Sequence, residues 1–278
     1  MNITQEQLKI SIREIATDLG VRVPQVQNLL CQERFIARIA TLPEGDKFVW
    51  KGGSLILRAY RYLPKPRYTI DIDLMLMGQS LTDVPKLIHN AMNIDLDDGL
   101  KFISLTHTPM KRDLPYGGDR YEIKWTLFGK PGVQALRIDI SAGDVVEPVV
   151  VKSDDIFLLP KISETVSLKV YPKEFILAEK LETLANFKTG STRSKDLIDV
   201  WTLFKSGIDP QYAKKAIEDC FRRRKTSLDV EALKTILDNE IFQQAMEQQI
   251  KKKFATLSLP PLKKMFEEIS TTLTTILE

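Results

Sequence analysis

Phe48-Val-Trp-Lys-Gly-Gly-Ser54, followed by Arg67-Tyr-Thr-Ile-Asp-Ile-Asp-Leu74, is the stretch on which the reading of this chain turns. Phe48, Val49 and Trp50 suit a short buried strand. Gly52-Gly53 ends it and lets the backbone pass close to another group. Ser54 is placed to cap a helix over residues 55–62, whose free N–H groups would point back at the turn. A helix start of this kind attracts phosphate. Ile70, Ile72 and Leu74 then alternate with Asp71, Asp73 and Met75, and this period of two sets both aspartates on one face of a second strand.

Two carboxylates beside a phosphate-friendly helix start suit metal-assisted phosphoryl or nucleotidyl transfer. Mg²⁺ prefers oxygen ligands, and in two-metal sites ions about 3.5–4 Å apart clamp the attacking and leaving oxygens. Taken singly, Gly-Gly-Ser is a common turn and Asp-x-Asp a common solvated strand edge. Together, in this order, they resemble the Gly-Gly-Ser…Asp-x-Asp signature of the polymerase-β-like nucleotidyltransferases. More narrowly, Lys51-Gly-Gly-Ser54 with Arg67-Tyr-Thr-Ile-Asp-Ile-Asp-Leu74 resembles the AbiEii/AbiGii toxin family, which is related to the mycobacterial nucleotidyltransferase toxins. Family members carry an Arg and a Ser or Thr just before the first acid, matched here by Arg67 and Thr69. The residue before that acid is often acidic in the family and is Ile70 here, which removes a local negative charge. A regular strand would turn the Thr69 hydroxyl to the face of Asp71, toward a metal-bound phosphate; β-propensity alone also explains a threonine there.

The 278 residues can bury a substantial core and divide into two domains. With 43% apolar and 28% charged residues and a net charge of +3, the composition is that of an ordinary, weakly basic globular protein. Cys31 and Cys220 lack metal-ligand spacing, which fits a reducing cytoplasm. No apolar run reaches membrane-spanning length, and Met1-Asn-Ile-Thr-Gln-Glu lacks a signal pattern. His89 and His107 are the only histidines, which excludes a His-rich zinc site and argues against a His-dependent triad.

Residues 4–18 and 24–42 read as helices covering the sheet, the first from the spacing of Leu8, Ile12, Ile15 and Leu19. A helix-turn-helix is the alternative for this pair, but the second helix has no cluster of base-reading residues. Helix 80–93 and strand 100–108 follow. Tyr121, Ile123, Trp125 and Leu127 then alternate with polar residues up to a turn at Phe128-Gly-Lys-Pro-Gly132, and Leu136, Ile138 and Ile140 line the return strand. Asp139, on its polar face, is the candidate third metal carboxylate, since a polymerase-β-like core takes its third acid from a neighbouring strand. Arg120, Lys124 and Arg137 read as a solvent-facing stripe of cross-strand ion pairs.

The second half becomes helical. In Tyr171–Phe187, Leu177, Leu181 and Leu184 form an apolar stripe with Lys180 at its edge. A lysine there must snorkel to water or meet a negative partner. Ala178-Glu179-Lys180 matches the family's Ala-Glu-Lys helix, whose lysine looks toward the nucleotide phosphates; a structural ion pair with Asp71 or Asp73 is the competing explanation. Arg193, Lys195, Asp196 and Asp199 match the family's Arg-x-Lys/Arg-Asp-x-x-Asp helix start. Asp196 also simply suits the positive end of a helix. The tail, 209–278, reads as a helical bundle whose runs Arg222–Lys225, Lys251–Lys253 and Lys263-Lys264 are solvated faces or phosphate contacts.

The expectation is an α/β (α+β) chain: a nucleotidyltransferase sheet with flanking helices over 1–165, a helical domain over 166–278, and the site in the cleft between them. Asp71, Asp73 and Asp139 would hold Mg²⁺. Gly52, Gly53 and Ser54, with Arg67 and Thr69, would take the NTP. Lys180 would neutralise developing phosphate charge, with Asp196 positioning it or the acceptor. The resemblance implies transfer of NMP to an RNA acceptor, particularly a tRNA 3′ end, by a toxin with a cognate antitoxin. A small-molecule nucleotidyltransferase and a non-catalytic nucleic-acid-binding protein are the alternatives.

Overall fold

The structure is a computed structural model that describes residues 4–78, 81–110, 118–142, 146–159, 164–187 and 194–277. Helices α1 (Gln5–Leu19) and α2 (Val23–Ala40) open the chain, and β1 (Phe48–Lys51) runs directly into α3 (Gly52–Ala59). Then come β2 (Asp71–Leu76), α4 (Val84–Asn93), β3 (Leu100–Met110), β4 (Gly118–Leu127), β5 (Lys130–Pro131) and β6 (Leu136–Ala142). β7 (Val149–Lys152), α5 (Ser153–Ile156) and β8 (Ser167–Val170) complete the sheet. Helices α6 (Lys173–Phe187), α7 (Ser194–Lys205), α8 (Pro210–Arg223), α9 (Val230–Asp238), α10 (Glu240–Lys253) and α11 (Leu262–Leu277) follow.

These elements form two compact units, Met1–Ala59 with Tyr68–Tyr171 and Tyr60–Arg67 with Pro172–Glu278. The division falls after Tyr171 rather than at 165, because Ser167–Val170 is a strand of the sheet, pairing in parallel with β1 and antiparallel with β7. Four residues are too few to show a period, which is why β8 is invisible in the sequence.

The first unit is built on a mixed sheet of order β3-β4-β6-β2-β1-β8-β7, with β5 pairing β4 off the path. Both β1 and β2 are interior strands, and this suits their burial. Helix α1 starts at a reciprocal cap, in which Thr4 Oγ1 accepts from the Gln7 N–H and the Gln7 side chain accepts from the Thr4 N–H. Helix α2 is buried from Asn28 to Ile39, so its charged residues need internal partners. Arg34 and Arg38 converge on Asp98 at 2.8 and 2.7 Å, tying α2 to the segment leading into β3. Glu33 pairs with Arg58 of α3 at 2.8 Å and accepts from the Leu158 N–H. Arg58 also donates to the carbonyls of Ser54 and Leu29, so the short helix after the Gly-Gly turn is clamped against α2.

In the second unit α6, α7, α8 and α11 share a core that includes Leu177, Leu197, Phe221 and Ile269. The excursion 60–67 belongs here: Tyr62 meets the edge of Trp201, and Arg67 pairs with Asp199. Arg224, from the first basic run, is bound to Glu179 and Glu182 at 3.2 and 2.8 Å, so within that run it serves structure. Among the described residues no helix is long and apolar enough to cross a membrane.

Candidate active site

Gly52 adopts φ +72°, a left-handed conformation that glycine takes without a Cβ penalty. A Cβ on it would lie 2.1 Å from Oδ2 of Asp73. The glycine therefore makes the turn and leaves the carboxylate its space. Helix α3 begins at Gly52 itself, earlier than a cap at Ser54 suggested. Ser54 consequently sits inside the first turn instead of capping it. Its buried Oγ accepts from Trp50 Nε1 at 2.8 Å. What Gly52, Gly53 and Ser54 present at the helix start is backbone N–H.

β2 alternates as expected, with Ile72 and Leu74 buried and Asp71 and Asp73 half-buried. It starts at Asp71, so Thr69 precedes the strand and strand alternation does not set its direction; its carbonyl accepts from Gln32 Nε2 at 3.3 Å.

The sheet register assembles the rest. Asp73 stands opposite Lys51 of β1 and Asp139 of β6, and Asp139 stands opposite Arg120 of β4. Two residues along, Asp71 stands opposite Arg137, which stands opposite Glu122. Side chains in register on paired strands share a face. One face of four adjacent strands thus carries Lys51, Arg120 and Arg137 against Asp71, Asp73, Asp139 and Glu122. Arg120 grips Asp139 in a two-pronged pair at 2.7 and 2.6 Å. Arg137 bridges Glu122 at 2.9 Å and Asp71 at 3.3 Å. The arginines are cross-strand ion pairs, as the stripe suggested, but two of their partners are the candidate metal ligands. Lys51 Nζ also lies 4.9 Å from the centre of the Tyr171 ring.

Among the described residues no three metal-ligating side chains converge on one point. Asp139 is one strand from Asp73 and in register with it, yet its carboxylate is turned to Arg120. The fit to Mg²⁺ is nonetheless good for the pair on β2. They are hard oxygen donors on one strand face, and the missing side chain of Gly52 lets the Asp73 carboxylate keep its place there.

The second unit holds a separate charged cluster. Lys180 of α6 donates to Asp196 Oδ1 at 2.6 Å and lies 3.2 Å from Asp199. Asp199 also accepts a two-pronged bond from Arg67 at 2.9 and 2.8 Å. The Asp196 and Asp199 side chains are 2% and 3% exposed, so they need these cations. Burial pulls the Lys180 ammonium toward neutrality, but Asp199 and then Asp196 reverse this and hold it charged above its usual range. Burial likewise pushes the Asp199 carboxyl up, and Arg67 and Lys180 bring it below the usual carboxylate range. Asp199 is the centre of the cluster, a role its helix position alone did not reveal. Arg193, from the same motif, lies outside the described residues.

A family model for the nucleotidyl transferase AbiEii toxin of type IV toxin–antitoxin systems matches residues 34–269. The chain belongs to this family. The AbiEii match runs from α2 to α11 and includes both charged clusters. The protein is therefore a nucleotidyltransferase of the toxin kind, as the paired Gly-Gly-Ser and Asp-x-Asp motifs indicated. Among solved structures, this AbiEii chain is similar to the crystal structure of JHP933 from Helicobacter pylori, with 15% identity, 91% of each chain covered and a TM-score of 0.50. At that identity the likeness speaks to the mixed α/β fold alone. No curated protein matches the sequence.

Proposed function

We propose that this AbiEii chain transfers a nucleoside monophosphate from an NTP to an acceptor hydroxyl with Mg²⁺, and that the acceptor is RNA, at the 3′ end of tRNA. The observation that carries the reading is the close approach of Gly52 to Asp73 at the start of α3, with Asp71 on the same strand face. It brings a phosphate-binding helix start to a metal-binding carboxylate. In the reaction, the acceptor oxygen bonds to the α-phosphorus, the bond from that phosphorus to the α–β bridging oxygen breaks, and pyrophosphate leaves. The acceptor's proton passes to a carboxylate of the site.

Asp71 and Asp73 are assigned to the metal, joined by Asp139. Bound Mg²⁺ would supply positive charge to the attacking and leaving oxygens. The first-turn N–H groups of Gly52, Gly53 and Ser54 are assigned to the triphosphate. Lys180 is assigned to charge on the phosphates, with Asp196 as its positioning partner, on the strength of the motif match and their 2.6 Å bond. Arg67 is assigned to holding Asp199 in that cluster, which its two-pronged pair supports. Thr69 is assigned to the nucleotide by motif position alone.

The RNA acceptor and a cognate antitoxin partner come from the family resemblance, and an RNA acceptor places the reaction in the cytoplasm. The test is incubation of the protein with Mg²⁺, each α-³²P-labelled NTP in turn and total bacterial tRNA. Label on tRNA supports the reading and identifies the base. Mg²⁺-dependent NTP turnover only with small hydroxylated acceptors replaces RNA by a small molecule. Absence of both transfer and metal-dependent NTP binding overturns it in favour of a nucleic-acid-binding protein.

A further inference from the structure

The buried and half-exposed arginines of the first unit behave differently. Arg34, Arg38 and Arg58 have side chains only 2%, 1% and 0% exposed and are locked into the fold. Arg120 and Arg137 are 39% and 34% exposed, and their carboxylate partners Asp139 and Asp71 are 16% and 27% exposed. Pairs that open to water cost less to break than fully buried ones. The planar guanidinium fork that grips a carboxylate fits a phosphate equally well.

We propose that Arg120 and Arg137 are exchangeable ligands: they pair with Asp139 and Asp71, and give these carboxylates up to a divalent cation to bind the polyphosphate of the NTP. This rests on the reading of Asp71, Asp73 and Asp139 as metal ligands. The geometry supports the exchange in three ways. Arg120 and Asp139 are register partners on adjacent strands, as are Arg137 and Asp71, so each guanidinium starts beside the position a cation would take. Both arginines share the sheet face of the carboxylates, so release leaves them over the same face. Charge supports it too. Among the described residues the face holds Asp71, Asp73, Asp139 and Glu122 against Lys51, Arg120, Lys124 and Arg137, so added metal cations leave positive charge in excess until an anion arrives. The polyphosphate is that anion. A side chain serving only the sheet would not link metal binding to nucleotide binding in this way.

The test measures binding, not turnover. Mn²⁺ is titrated into nucleotide-free wild-type protein, Arg120→Gln, Arg137→Gln, Arg120→Lys and Asp71→Asn by calorimetry and by electron paramagnetic resonance. Each α,β-methylene NTP is then titrated with Mn²⁺ present. Removing the competing guanidinium is expected to tighten Mn²⁺ binding about two- to fivefold in Arg120→Gln. The same variant is expected to bind the Mn²⁺–nucleotide mixture about tenfold more weakly, because a charge-assisted phosphate contact is lost. Arg120→Lys retains the charge without the fork and falls between, which keeps the test usable if the glutamine variant does not fold. Unchanged or weaker Mn²⁺ binding in folded Arg120 variants, with Asp71→Asn still abolishing it, overturns the exchange and leaves the metal site standing. No Asp71-dependent Mn²⁺ binding in the wild type overturns both.

Discussion

Gly52 and Asp73 are packed so closely that a single added methyl would fall 2.1 Å from the carboxylate oxygen. The turn and the acid are thus one device. The left-handed φ of Gly52 starts helix α3, and the missing side chain leaves the Asp73 carboxylate in place.

Gly52→Ala should therefore damage activity more than folding. The strained φ costs about 1–2 kcal/mol, while displacement of Asp73 lowers nucleotidyl transfer at least about a hundredfold. Thermal unfolding beside label transfer checks this. Full activity in Gly52→Ala would contradict the coupling.

Lys180→Ala should cost about 10²–10³-fold in transfer if the lysine meets developing phosphate charge. Lys180→Arg should recover part of it, since charge is kept and geometry is not. Single-turnover assays on folded variants decide. A variant that loses stability but keeps its rate would make Lys180 a partner of Asp196 and Asp199 only.

Stability should weaken in acid through Asp199. Folding lowers the pKa of this carboxylate, burial opposing and Arg67 and Lys180 prevailing. Such a group adds stability above its unfolded pKa of about 3.9 and loses it as the pH falls further. Lys180 has the opposite sign: raised by Asp199 and Asp196 against burial, it contributes below about pH 10.4 and loses this as the pH rises beyond. Urea midpoints measured against pH should show a shallower acid limb in Asp199→Asn than in the wild type.

Breaking the Glu33–Arg58 pair should destabilise strongly. Glu33→Ala leaves a guanidinium with 0% side-chain exposure without its carboxylate and should cost about 3–5 kcal/mol. Glu33→Leu with Arg58→Met should cost less than either single change. Denaturant unfolding of the three variants measures this.

Local period made much of the molecule legible. β2 could be read because Ile72 and Leu74 alternate with Asp71 and Asp73, and the hairpin because Tyr121 to Leu127 alternate up to a turn. Helices α1 and α2 fell within two residues of their expected bounds. What could not be read was set by pairing between distant strands. Asp71 meets Arg137, and Asp139 meets Arg120, only because β6 lies between β2 and β4, and no single-strand pattern specifies that order. Placing the polar face of the hairpin against that of β2 would have suggested these pairs. The Glu33–Arg58 pair was hidden for the same reason: it joins two helices, and its glutamate lies within a helix buried on nearly every side. Ser54 was misplaced because α3 begins on a glycine, where a serine cap two residues later looked the better start.

The most direct test of the central claim compares wild type with Asp71→Ala and Asp73→Ala for transfer of α-³²P label from NTP in Mg²⁺, with folding checked by circular dichroism. The account predicts Mg²⁺-dependent transfer in the wild type and a loss of at least about a hundredfold in each variant at unchanged fold. Transfer that persists in either folded variant would show that the paired carboxylates of β2 do not hold the catalytic metal.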